Sequence, residues 1–223
     1  MGVSVSRKLD VFAHRWGLDR LAFRIWRYNP RGLLRLYRHH AFDRRLGVNT
    51  RGYSDLRYEP TPAEEFREML STIPFDPREF VFVDFGSGKG KVLMLAAQYP
   101  FRKVVGVELW EDLHRIALEN LASFRDRCDC VSEVASLRMD AADFALPEEP
   151  LVLYFFNPFP ETVVARVLSN LRESLARAPR RIYVLFYAPV RRGAPWDRRL
   201  VFEASGFLRV LRDEPRFTIY TAS

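Results

Sequence analysis

Two carboxyl groups and three glycines between Asp84 and Glu108 stand in an order that suits a nucleotide. Asp84-Phe-Gly-Ser-Gly-Lys-Gly90 sets Gly86, Gly88 and Gly90 at alternate positions behind an acid, with Ser87 between the first two. Glycine admits positive φ and lets a ligand approach backbone that a Cβ would shield. Glu108, placed at the end of a second apolar run, can accept both hydroxyls of a ribose, the usual work of an acid there. Spacing sorts the ligand. A dinucleotide turn needs Gly-x-Gly-x-x-Gly, whereas here the third glycine comes one residue early and Lys91 holds its place. The phosphate loop Gly-x-x-x-x-Gly-Lys-Ser/Thr is absent.

The second chemical stretch is Asn157-Pro158-Phe159-Pro160, directly after the apolar run Leu151 to Phe156. A side-chain amide at that position can accept a hydrogen bond from an amine or amide N–H. Pro158 fixes the turn without needing a donor, and Phe159 offers a face to a planar or aliphatic group. The competing reading is a prolyl turn that starts the next helix.

These residues need a scaffold, and the patterning supplies an alternating one. Phe80 to Phe85 reads as a strand buried on both faces, and Val92 to Ala97 as a helix. Lys103 to Val107 is a second strand, Asp112 to Arg125 a helix, and Val134 to Met139 a third strand. Leu151 to Phe156, Glu161 to Leu175 and Arg181 to Tyr187 continue as strand, helix, strand; Trp196 to Ala204 fits a short helix. Phe207 to Leu211 and Phe217 to Thr221 pair as a hairpin. Upstream, Thr61-Pro62-Ala63-Glu64-Glu65 predicts a helix start, with Thr61 as cap and Glu64 completing a capping box. The fold class is α/β, a doubly wound, mostly parallel sheet.

Strand, glycine turn, helix, strand and acid together resemble the first two motifs of class I S-adenosylmethionine (SAM) methyltransferases. The resemblance covers Phe80 to the carboxyl end. It implies a seven-stranded sheet whose last strand inserts between the fifth and sixth, with SAM as cofactor. It places Gly86, Ser87, Gly88 and Gly90 against the methionine portion, Glu108 on the ribose and Asp84 on the donor's amino group. An acid after the third strand is similar to the family's residue for the adenine amino group, which points to Asp140, with Asp143 as fallback and a plain helix cap as the bland reading. Asn157, Pro158 and Phe159 resemble the Asn-Pro-Pro-Tyr motif of enzymes that methylate amide or exocyclic amine nitrogen, with Phe159 in place of the second proline. They also resemble the Asn-x-x-Phe segment of seven-strand histone-lysine methyltransferases. By the same resemblance, Thr50, Tyr53 and Asp55 are acceptor-side candidates, and local turn residues otherwise. The implied activity is methyl transfer to nitrogen on a protein, a nucleic-acid base or a small amine.

Charge divides the chain in another way. Among its 223 residues the net charge is +7, yet residues 1–50 alone hold eleven Lys/Arg against three Asp. The expected organisation is a basic, helical extension over 1–60 and a methyltransferase domain over 61–223. Leu9, Phe12, Trp16, Phe23 and Trp26 recur at helical intervals with arginines between them. That pattern suits a lid with solvated arginines, a polyanion footprint over residues 7–45, or an interfacial helix on anionic lipid. A non-catalytic protein of this fold that binds nucleic acid through the arm is the alternative function. Cys128 and Cys130 suit neither a disulfide framework nor a zinc site, so reduced thiols in the cytoplasm are expected. No membrane-length apolar span and no secretory h-region is present, and metal chemistry is not indicated.

Overall fold

A computed structural model describes residues 37–38, 41–50, 58–128, 132–156, 159–188 and 197–222. The chain divides into two units, 1–45 and 46–223. In the first, the described residues 37–38 and 41–45 are helical. The arm's remaining residues, together with Tyr53, Asp55, Cys130, Asn157 and Pro158, lie outside the described residues.

The second unit is built on seven strands: β1 (Val81–Phe85), β2 (Lys103–Glu108), β3 (Val134–Arg138), β4 (Leu151–Phe155), β5 (Ile182–Tyr187), β6 (Arg209–Asp213) and β7 (Phe217–Ala222). Their order in the sheet is β3-β2-β1-β4-β5-β7-β6. The first five are parallel, and β7 runs antiparallel between β5 and β6. The last strand therefore inserts as expected. Every residue of β1, β4 and β5 is buried, which is why these strands read as unbroken apolar runs instead of alternating.

Helices cover both faces. They are α1 (Ala63–Ser71), α2 (Lys91–Ala96), α3 (Glu111–Arg125), α4 (Glu161–Arg177) and α5 (Arg199–Glu203). On one face, Phe66 of α1 meets Phe82 and Tyr154 edge-on, at ring-centroid distances of 5.8 and 5.9 Å. On the other, Phe85 stacks on Phe155 at 4.9 Å, and Phe202 of α5 packs edge-on against Phe155. Each such ring pair adds about 0.5–1.5 kcal/mol beyond its buried area.

One local expectation is corrected. Thr61 does not cap α1; the N-cap is Pro62, with no side-chain bond, because the Thr61 hydroxyl is used 2.8 Å from the Tyr154 phenol. Arg199, in the short helix α5, is 1% exposed. Its guanidinium donates to Asp197 Oδ1, Thr218 Oγ1 and the Ala188 carbonyl, so burial is compensated by a charge partner and oriented acceptors.

Candidate active site

Register fixes what faces the cleft. Asp84 pairs with Gly106 of β2 on one side and with Tyr154 of β4 on the other. Directly opposed residues point to one face of a sheet, so Asp84 and Tyr154 share the face that α1 covers. Beyond Phe85 the chain turns through Gly86, Gly88 and Gly90, with φ of 79°, 53° and 78°. The Gly86 and Ser87 N–H groups both donate to the Val107 carbonyl, at 2.8 and 3.1 Å. The turn is thereby hung from the end of β2.

Glu108 completes that suspension. Its Oε2 accepts from the Gly88 N–H at 2.8 Å and its Oε1 from the Trp110 N–H at 2.9 Å. Each carboxylate oxygen has a second lone-pair direction, so the acid can hold the turn and still accept from hydroxyls. Burial raises its pKa from the ordinary value, against the opposing pull of the N–H groups of Trp110, Gly88 and Leu109.

Asp84 is placed differently. It is 3% exposed, and among the described residues none donates a hydrogen bond to its carboxyl. Burial first, and then the charge of Glu108, push it well above the ordinary carboxyl range. Asp140 follows β3 and does double work. Its Oδ1 accepts from the Ala142 N–H at 2.8 Å, the cap that the bland reading called for, while the residue also lines the cleft.

These groups share one cavity of about 560 Å³. Asp84, Gly86, Ser87, Gly88, Glu108 and Asp140 line it, as does Phe159. Gly90 does not; it backs onto α3, where a Cβ would stand 3.2 Å from the Ala117 Cβ. Thr50 is buried. Sequence reading passed over four further lining residues. Tyr58 lays its ring on the turn, 2.3 Å from where a Gly88 Cβ would be, and the Lys89 ammonium sits 5.4 Å from that ring's centre. Thr61 and Tyr154 meet across the cavity floor, and burial drives the Tyr154 phenol well above its usual pKa while the Thr61 bond pulls it down. Trp110, half exposed, stands beside Glu108 at the mouth. A bulky aromatic two residues after Glu108 was a usable signal for Trp110; nothing local marks the other three.

SAM fits these residues. Ser87 Oγ is buried without a hydrogen-bond partner among the described residues. Glu59, Asp84, Glu108 and Asp140 line the cavity against one lysine, Lys91, a balance that favours a cationic ligand. Among the described residues no cluster of His, Cys, Asp or Glu is arranged to hold a metal ion.

Known proteins agree with the fold. The family described as "Histone methylation protein DOT1" matches residues 49–151, somewhat under half of the chain. No curated protein sequence matches. A Pyrococcus horikoshii OT3 protein superposes with a TM-score of 0.53 at 18% identity, over 77% of this chain and 95% of that one. The ribosomal protein L11 methylase of Lactobacillus delbrueckii subsp. bulgaricus gives 0.50 at 13%, over 78% and 84%. The pyocyanin biosynthetic protein PhzM gives 0.49 at 21%, and the chain spans 71% of itself but only 54% of that protein. Strand order and glycine turn together give this chain the class I SAM-dependent methyltransferase fold, and its residues 49–151 match a methyltransferase family.

Proposed function

We propose that the chain methylates a nitrogen, with the acceptor entering from the β4 side of the cleft. The observation that carries this reading is the joining, in one cavity, of the glycine turn and Glu108 with Thr61, Tyr154, Phe156 and Phe159. Glu108 would hold the ribose, Asp84 the donor's ammonium and Asp140 the adenine amino group, with Gly86 to Gly90 against the methionine portion. Asn157 would accept from the acceptor N–H, Pro158 would set its turn and Phe159 would pack on the acceptor's apolar part. SAM supplies an electrophilic methyl on a sulfonium, and S-adenosylhomocysteine leaves once the nitrogen takes it. An amine must shed its proton before it attacks. The chain contributes alignment and exclusion of water, an effect worth about 7–11 kcal/mol where the approach is in line. The matching family's description names histone methylation, so a protein lysine is the first acceptor to try.

Calorimetry with SAM, S-adenosylhomocysteine and NAD tests the donor. Wild type should bind the first two and not NAD, and Gly88→Asp should bind none. Tight NAD binding, or indifference to SAM at millimolar concentration, overturns the assignment. Labelled SAM offered with protein, nucleic-acid and metabolite pools then identifies the acceptor; label confined to oxygen or carbon removes the nitrogen reading.

The concentration of positive charge in residues 1–50 favours a second role, contact with a polyanion such as nucleic acid. Binding that weakens steeply with salt, without methyl transfer to the bound strand, would support it. No described helix is long and apolar enough to cross a membrane. A cytoplasmic setting accords with the free thiol of Cys128.

A further inference from the structure

We infer that Asn120 is a positioning residue of the donor site, joining the glycine turn to the segment at residues 46–50; this rests on the donor reading above. Asn120 lies on the inner face of α3 with Leu113, Ala117, Leu121 and Phe124, and it is 4% exposed. A buried amide on a face that is otherwise apolar is costly unless its hydrogen bonds are made. All of its donors are used. Nδ2 donates to the Lys89 carbonyl at 2.9 Å and to the Asn49 carbonyl at 3.0 Å, while Oδ1 accepts from the Asn49 N–H at 2.7 Å. The side chain thus serves the main chain of Asn49 as a neighbouring strand would.

Lys89 stands between Gly88 and Gly90, both at positive φ. Glu108 and Val107 hold this turn from β2, and Asn120 holds it from α3, with Ala117 one helical turn earlier closing on Gly90. Asn120 itself does not line the cavity, so it acts through Lys89. The same amide ties in residues 46–50, where Leu46 and Val48 are buried and the Leu46 carbonyl accepts from Arg127 at 3.1 Å. Order in that segment and order in the turn are therefore coupled. Whatever fixes the turn also tightens the hold on Asn49.

The test uses the full chain. In Asn120→Ala the Kd for SAM should rise about tenfold, the worth of roughly one hydrogen bond to a turn that must stay rigid. Turnover at saturating donor should stay within about twofold of wild type, since the acceptor end is untouched. Asn49→Pro, which removes the N–H side of the link and also fixes φ there and restricts Val48, should weaken SAM in the same direction and less than additively with Asn120→Ala. Asn49→Ala keeps every main-chain bond and should bind SAM like wild type. Ser132→Ala, which deletes a buried bond to the Tyr99 carbonyl away from the cavity, controls for general loss of stability. Hydrogen exchange adds a readout that a merely structural role would not move: SAM should slow the Asn49 amide in wild type and leave it unchanged in Asn120→Ala. Where Asn120→Ala does not fold, Asn49→Pro and the wild-type exchange decide. The inference is overturned if folded Asn120→Ala or Asn49→Pro binds SAM as wild type does, or if SAM leaves wild-type Asn49 exchange unmoved. Failure of wild type to bind SAM at all is a different result, which removes the donor reading and this inference with it.

Discussion

The two ends of the cleft are made in different ways. At the donor end, Glu108 meets two main-chain N–H groups, and the turn it holds lies within the same short stretch of chain. At the other end, Thr61 reaches Tyr154 across 93 residues of sequence, and Tyr58 is laid over Gly88 from outside the βαβ unit. Asp84 lies between them, buried beside one acid, with no hydrogen-bond donor among the described residues. Glu108 therefore serves the fold through both oxygens, beside the ligand role proposed for it. Asp84 serves the fold badly, which is what a group reserved for a charged ligand looks like.

The comparison is broken most directly at Glu108. Glu108→Ala should raise the Kd for SAM at least about 100-fold, since hydrogen bonds to a charged group are worth about 1.5–3 kcal/mol each. It should also lower the melting temperature, because the Gly88 and Trp110 N–H groups lose their acceptor. Calorimetry and a thermal melt check both; a normal SAM affinity would detach Glu108 from the ribose.

Asp84→Asn should separate the two acids. Donor affinity should fall about tenfold or more as an ion pair is lost, yet the ligand-free protein should become more stable at neutral pH. The sign follows from linkage. Because the folded pKa is raised, between the ordinary carboxyl value and that raised value the native state keeps a proton that the unfolded chain has released. Stability therefore declines as pH rises through that window, and Glu108, also raised, adds to the slope. Denaturant titrations from pH 4 to 8 should show a shallower decline in Asp84→Asn; an unchanged slope would refute the assignment.

A smaller effect is expected at the acceptor end. Thr61→Val and Tyr154→Phe each remove one partner of a buried bond worth about 1 kcal/mol. They should change turnover or acceptor KM several-fold while SAM affinity stays within about twofold. Equal losses in donor affinity would erase the distinction between the ends. The smallest change belongs to Asp140→Asn. An asparagine oxygen still accepts from Ala142, while the other oxygen, the proposed acceptor for the adenine amino group, becomes an NH2 donor, and SAM affinity should drop about threefold, within the range of one modest hydrogen bond.

The donor end was legible because its information is local. A glycine every second residue, an acid before it and an acid after the next apolar run report turn geometry and strand ends without reference to distant residues. The place of the last strand, between the fifth and sixth, followed from the family resemblance. Thr61 was misread because a hydroxyl ahead of a helix usually caps it, and only tertiary proximity offers Tyr154 instead. Asn120 lies on an otherwise apolar helix face, and its amide gains meaning only once Lys89 and Asn49 arrive beside it. Nothing in the sequence marked Arg199, which Asp197, Thr218 and the Ala188 carbonyl surround in the fold.

By itself, then, the order of residues determined the alternating α/β plan, the glycine turn and the acids that flank it, since φ preference and apolar periodicity act over a few neighbours. Which phenol faces Thr61, which ring covers Gly88 and which amide locks the turn were decided only in the folded chain. Such contacts depend on the positions of elements brought together across many tens of residues, and no short-range pattern carries them.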